Sequence, residues 1–292
     1  MNLPKAKKID IQKYEGGLSK LANITDAIKL SANESALGCS PNAKKAFYDC
    51  QSFIAKYPDS GSQILKNKIS EKFNLDLNNI IIGSGSDEII SFACQAFLNP
   101  GDEVVVSEFG FLMYKIYSKI NGANVVFAKE NNYKTNVNTI LDCISDKTKL
   151  VFIANPNNPT GTFLTQEEVL ELRKKLRSDI LLLIDDAYCE YVTNKDYVSG
   201  LDLFRKSSNV LVTRTFSKIY GLANLRIGWG FASKEIIDAL SIFKPPFNIT
   251  GPAERAATAA LDDDAWLQKN IEHNMFWSNK IFTKLSEKNI IC

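Results

Sequence analysis

From Asn79 onward the chain alternates short, apolar, β-branched runs with segments of helical pattern. This alternation limits the folds open to it more than any other feature. Residues 79–82 read as a strand, Gly83-Ser84-Gly85 as a turn and residues 86–97 as a helix. Further strands are expected at 103–107, 123–128, 149–154, 180–184 and 210–213. A helix is expected at 111–120, and another after Thr165, where Thr165-Gln166-Glu167-Glu168 forms a capping-box pattern. Runs this short and uniformly apolar suit strands buried on both faces. Strand–helix alternation implies an α/β sheet covered by helices on both sides, and ligands of such sheets bind at the loops after the carboxyl ends of the strands. Residues 264–287 read as one long helix, and 289–292 as the beginning of something strand-like.

Composition narrows the function classes. The 292 residues are 45% hydrophobic and 23% charged, which suits a globular chain with one large domain, or one domain plus a smaller one. A net charge of +2 gives no electrostatic reason to expect a nucleic-acid or membrane partner. The basic N-terminus has no apolar run behind it and no stretch approaches a membrane span, so a cytoplasmic setting is expected. The six cysteines show no C-x-x-C spacing and no accompanying histidines, which points to reduced thiols rather than to a zinc site or disulfides. His273, the only histidine, lies in a polar helical stretch, which leaves little room for a histidine-dependent triad.

The polar irregularities fall at the strand ends. Gly83-Ser84-Gly85-Ser86-Asp87-Glu88 breaks the dinucleotide fingerprint G-x-G-x-x-G, because position 88 is Glu. It reads either as a phosphate-binding turn at a helix N-terminus or as a tight turn capped by Ser86 or Asp87. Any help from Asp87 to a phosphate would have to come from its backbone N–H. In Asn155-Pro156-Asn157-Asn158-Pro159-Thr160-Gly161 the prolines pin the backbone and aim the two asparagines between them. Asp185 ends the most apolar strand and, being partly buried, needs a cation or hydrogen-bond donors. Thr213 to Lys218, with Gly221 and Arg226 beyond, suits an anionic ligand held by hydroxyls and a guanidinium with a lysine in reach; a lone Lys218 would otherwise read as a solvated side chain.

Taken together and in this order, these segments resemble the fold-type-I aminotransferases that depend on pyridoxal 5′-phosphate (PLP), nearest their histidinol-phosphate aminotransferase branch. The resemblance runs from about Ile11 to the chain end. It is carried by Asn158-Pro159-Thr160-Gly161, Asp185-Asp186-Ala187-Tyr188 and Ser217-Lys218-Ile219-Tyr220-Gly221-Leu222-Ala223-Asn224-Leu225-Arg226-Ile227-Gly228. It implies the three-layer α/β/α large domain of the aspartate aminotransferase type at 41–262, an N-terminal arm with part of a small domain at 1–40, and an incomplete small subdomain beginning at 263–292. It implies that Lys218 holds PLP as a Schiff base and moves a proton between the substrate Cα and C4′ of the cofactor. Asp185 would pair with the pyridinium nitrogen, which keeps the ring protonated as an electron sink. Asn158 and Tyr188 would bond its O3′, and Phe111 would stack on the ring. Ser86, Asp87, Thr215, Ser217 and Arg226 would form the phosphate cup. Tyr57 would reach the phosphate of a neighbouring subunit, which implies a homodimer, and Tyr14 and Asn33 match substrate-side positions.

The implied reaction moves an amino group between histidinol phosphate, or a related amino compound, and 2-oxoglutarate, within histidine biosynthesis. Family members continue into a subdomain whose arginine grips the substrate carboxylate, a charge-assisted bond worth about 1.5–3 kcal/mol. No arginine follows Arg255 here, so the expectation is a chain cut short at Cys292. Two alternatives stand beside the transaminase: a PLP-binding remnant with little turnover, and a PLP-dependent decarboxylase of a phosphorylated amino acid.

Overall fold

The computed structural model describes residues 9–11 and 28–290. Tyr14 therefore lies outside the described residues. Helices α1 (Pro41–Tyr48) and α2 (Gln63–Phe73) lead into strand β1 (Ile80–Gly83). Then follow α3 (Ser86–Phe97), β2 (Glu103–Ser107), α4 (Leu112–Ile120), β3 (Asn124–Ala128), α5 (Val137–Asp142), β4 (Thr148–Ala154) and α6 (Gln166–Lys175). After β5 (Leu181–Asp185) come α7 (Gly200–Leu203), β6 (Val210–Thr215), β7 (Gly228–Phe231), α8 (Lys234–Ser241), α9 (Gly251–Leu261) and α10 (Asp264–Ser286). The strands form one sheet in the order β1-β7-β6-β5-β4-β2-β3. Only β7 runs antiparallel to its neighbours, pairing with β1 and β6.

Each strand divides its side chains between two cores, as its period of two requires. Leu182 and Ile184 of β5 join Val151, Ile153, Val210 and Val212 on one face, under α2, α6 and α9. Leu181 and Leu183 join Val104, Val106, Phe152 and Leu211 on the other, under α3, α4 and α8. Apart from the edge strand β3, which is largely exposed or half-buried, both faces are therefore dry, which explains why these strands carry apolar runs rather than alternating. α6 begins with the expected reciprocal cap: Thr165 Oγ1 accepts from the Glu168 N–H, and the Glu168 carboxylate accepts from the Thr165 N–H.

One strand was not expected, and two expectations change. β7 does not stand out in the sequence, because Gly-Trp-Gly-Phe carries two residues of low strand propensity. A side chain at Gly228 cannot be accommodated, since a Cβ there would lie 2.4 Å from the Ser86 nitrogen. The cap of α3 is Gly85, at φ 84°, rather than Ser86 or Asp87, which are already helical. The chain after α10 forms no strand as far as Ile290. Asn289 turns left-handed at φ 55°, and the Ile290 N–H returns to the Leu285 carbonyl, a helix-terminating turn. No helix among the described residues is long and apolar enough to cross a membrane.

Candidate active site

Because β1, β2, β4, β5 and β6 are mutually parallel, their carboxyl ends share one edge of the sheet. β7 reverses, so its amino end, Gly228, lies level with Gly83 and Thr215. This brings Arg226 to the same edge as the turn before α3. A cavity of about 340 Å³ opens there, lined by Ser86, Asp87, Phe111, Asn158, Asp185, Tyr188, Thr215, Ser217, Lys218 and Arg226. The lining thus gathers ten of the residues singled out from the sequence.

Asp185 is only 5% exposed and ends β5 at the cavity wall. Its partners are neutral donors rather than the lysine or arginine of an ion pair. Tyr114 donates its hydroxyl to Oδ2 at 2.9 Å, and Thr213 Oγ1 and the Ala187 N–H donate to Oδ1, each at 3.2 Å. Burial pushes its carboxyl up to about 6, against those three hydrogen bonds. Lys218 faces the same cavity. Burial holds its ammonium below the ordinary lysine range, helped by the nearby Arg226 and opposed by Asp185 and Glu34. Its Nζ donates to the Ala32 carbonyl at 3.0 Å and lies 5.5 Å from the centre of the Tyr188 ring.

At the other end the lining is built for an anion. The first three N–H groups of α3 have no acceptor within the helix, and two of them belong to the lining residues Ser86 and Asp87. Arg226 donates to Ser217 Oγ at 3.2 Å and lies against Gly85, where a Cβ would meet Nη2 at 2.7 Å. Thr215 Oγ1 accepts from the Ser217 N–H at 3.0 Å, which fixes the turn leading to Lys218. The Asp87 carboxylate accepts from the Tyr117 hydroxyl through Oδ2 at 2.8 Å, while its buried Oδ1 has no hydrogen-bond partner among the described residues.

The two asparagines between the prolines divide their work. Asn158 lines the cavity, while the buried Asn157 donates to Thr160 Oγ1 at 2.9 Å and staples its own loop. Asn33 donates to the Tyr188 hydroxyl at 3.0 Å. It lines a second cavity of about 690 Å³ that shares Glu34, Asn158 and Tyr188 with the first and also includes His273 and Trp277. Tyr57 lies apart: it is 83% exposed and stacks on Phe247 with ring centres 4.7 Å apart.

Sequence reasoning missed Tyr114 and Thr213. Thr213 was accessible by register, because it pairs with Asp185 across β5 and β6. Tyr114 sits one helical turn beyond Phe111, buried and stacked on Phe152 with centres 4.9 Å apart, and only the fold shows that its hydroxyl meets Asp185.

The family model for aminotransferase class I and II matches residues 25–292. The chain belongs to this family. The histidinol-phosphate aminotransferase of Pelagibacter ubique (strain HTCC1062) is 53% identical over 291 residues, covering 100% of this chain and 81% of that protein. Among solved structures, the histidinol-phosphate aminotransferase of Sinorhizobium meliloti, determined in complex with PLP, superposes with a TM-score of 0.85 at 27% identity, over 88% of this chain and 70% of that one. The aspartate aminotransferase of Thermotoga maritima shares the fold with a TM-score of 0.80 at 22% identity, over 90% of this chain and 73% of that one. This aminotransferase thus has the fold-type-I architecture that the resemblance of its motifs implies.

Proposed function

We propose that this aminotransferase is a PLP-dependent transaminase that takes its amino group from histidinol phosphate and passes it to 2-oxoglutarate. One observation carries the reading: Asp185, buried with neutral donors alone, faces the same cavity as an amine of depressed basicity, with an anion cradle at the far end. The residues fit PLP. A buried carboxylate without a cation calls for one, and the protonated ring nitrogen of PLP is such a cation. The orphan N–H groups of α3, with Arg226, Ser217 and Thr215, suit its phosphate. The naming of the 53% identical relative supports the choice of substrate.

When bound, PLP supplies an electron sink for charge at the substrate Cα. The chain supplies the rest. Lys218 holds the group through Nζ, and its lowered basicity leaves more free amine near neutrality to carry a proton from the substrate Cα. Asp185 would keep the ring nitrogen protonated. Tyr188 and Asn158 would bond the ring oxygen, with Asn33, which donates to the Tyr188 hydroxyl, orienting it. Phe111 would stack on the ring. Asn33, and Tyr14 beyond the described residues, belong to the substrate side.

In the same reading residues 41–262 form the cofactor-binding unit, 1–40 an arm with part of a small domain, and 263–292 the start of a small subdomain. The protein works in the cytoplasm as a homodimer, with Tyr57 serving the neighbouring site. The exposed position of Tyr57 is compatible with that role.

The test is cofactor capture. Purified chain incubated with PLP and then reduced with borohydride should carry one adduct, mapped by mass spectrometry to Lys218 and absent from Lys218→Ala. An adduct elsewhere, or none, refutes the assignment.

A further inference from the structure

The turn between β1 and α3 uses its backbone donors unequally. The Gly85 N–H closes onto the Gly83 carbonyl at 2.8 Å. The Ser84 N–H is taken by Glu88 Oε2 at 2.6 Å. The same oxygen accepts from Asn248 Nδ2 at 2.7 Å, and Nδ2 also reaches the Ile82 carbonyl at 3.3 Å. Glu88 and Asn248 both lie outside the cavity lining, whereas Ser86 and Asp87 are part of it. The turn is therefore clamped from behind by Glu88 and Asn248, and from the cavity side by Arg226 against Gly85.

Glu88 occupies the position where a dinucleotide-binding turn needs glycine. Its carboxylate adds no attraction for a phosphate, so electrostatics alone does not account for it. What it supplies is geometry. With Ser84 and Gly85 N–H both satisfied inside the turn, the N–H groups left over are those at the start of α3, and their direction depends on where Glu88 holds Ser84.

We infer that Glu88, braced by Asn248, is a positioning residue that aims the Ser86 and Asp87 N–H groups at the phosphate, and so makes the site select a phosphorylated cofactor over its dephosphorylated form. This rests on the reading of the cavity as the PLP site.

The experiment compares the affinity of the full chain for PLP and for pyridoxal, which has the same ring and aldehyde but no phosphate. Glu88→Ala should weaken PLP by about tenfold or more, the scale of a lost charged hydrogen bond, and leave pyridoxal within about twofold of wild type. Glu88→Gln keeps an acceptor oxygen for both partners and should restore the PLP preference. If Glu88→Ala does not fold, Asn248→Ala removes a partner of the same oxygen from outside the turn and should lower the same ratio. A ratio unchanged in the variants, or two affinities that fall together, overturns the inference while leaving the cofactor reading intact. A wild-type chain that binds neither compound overturns both.

Discussion

Replacing Asp185 by asparagine should strengthen the cofactor-free chain at alkaline pH while weakening its hold on PLP. Burial raises this carboxyl from 3.8 to about 6 despite three hydrogen bonds. A rise of about two pH units disfavours the ionised form by ~3 kcal/mol in the folded chain relative to the unfolded one. Since the folded value lies above the unfolded one, the contribution of Asp185 to stability is fully present below pH ~4 and is lost as pH climbs through 6. Asparagine never ionises. Its Oδ1 can accept from the Ala187 N–H, and the Tyr114 hydroxyl can turn to accept from its Nδ2. Asp185→Asn should therefore match wild type near pH 4 and exceed it by up to ~3 kcal/mol at pH 8. Asp186, pushed up to about 8 by burial, is raised further by the Asp185 charge, so the difference between the two proteins reports Asp185 together with that repulsion, and both act in the same direction. Denaturant titration of cofactor-free protein across pH 4–8 measures it. The same substitution removes the partner of a cationic ring nitrogen, so PLP affinity should fall as stability rises. A difference that is zero at pH 8, or that grows as pH falls, refutes the reasoning.

Other substitutions test the remaining parts of the site. Arg226→Ala removes the guanidinium beside Gly85 and Ser217 and should weaken PLP roughly tenfold to a hundredfold by titration. Gly228→Ala drives a Cβ to 2.4 Å from the Ser86 nitrogen and should both lower the melting temperature and impair PLP uptake, because the contact is with backbone of the turn before α3. Capture of PLP by Lys218 needs the free amine, so its rate should rise with pH and level off below the ordinary lysine value of 10.5, since burial holds that group lower. Stopped-flow absorbance across pH 6–10 would show it.

Much of this was legible in the sequence because strands buried on both faces are written as apolar runs. Residues 86–97 and 103–107 read as they fold, since turn glycines and proline bracket them. The cavity lining could be gathered from the sequence because Ser86, Asp87, Asn158, Asp185, Tyr188, Ser217 and Lys218 end or follow strands on the edge where parallel sheets bind ligands, whereas Arg226 reaches that edge only through the reversal of β7. β7 was hidden because packing against Ser86 and Ile89 demands glycine where strand propensity would ask for bulk. The partners of Asp185 were hidden for a related reason. A tyrosine in a helix declares burial, and only the packing of α4 against β5 shows which carboxylate its hydroxyl meets. Glu88 looked like a blemish in a glycine fingerprint, and its bonds to Ser84 and Asn248 require coordinates to find.

The most direct test of transamination is a single turnover. Protein loaded with PLP and mixed with histidinol phosphate, with no acceptor added, should convert its bound PLP to pyridoxamine 5′-phosphate, and 2-oxoglutarate should reverse the change. PLP fixed on Lys218 that stays unconverted with histidinol phosphate, glutamate and aromatic amino acids alike would contradict it.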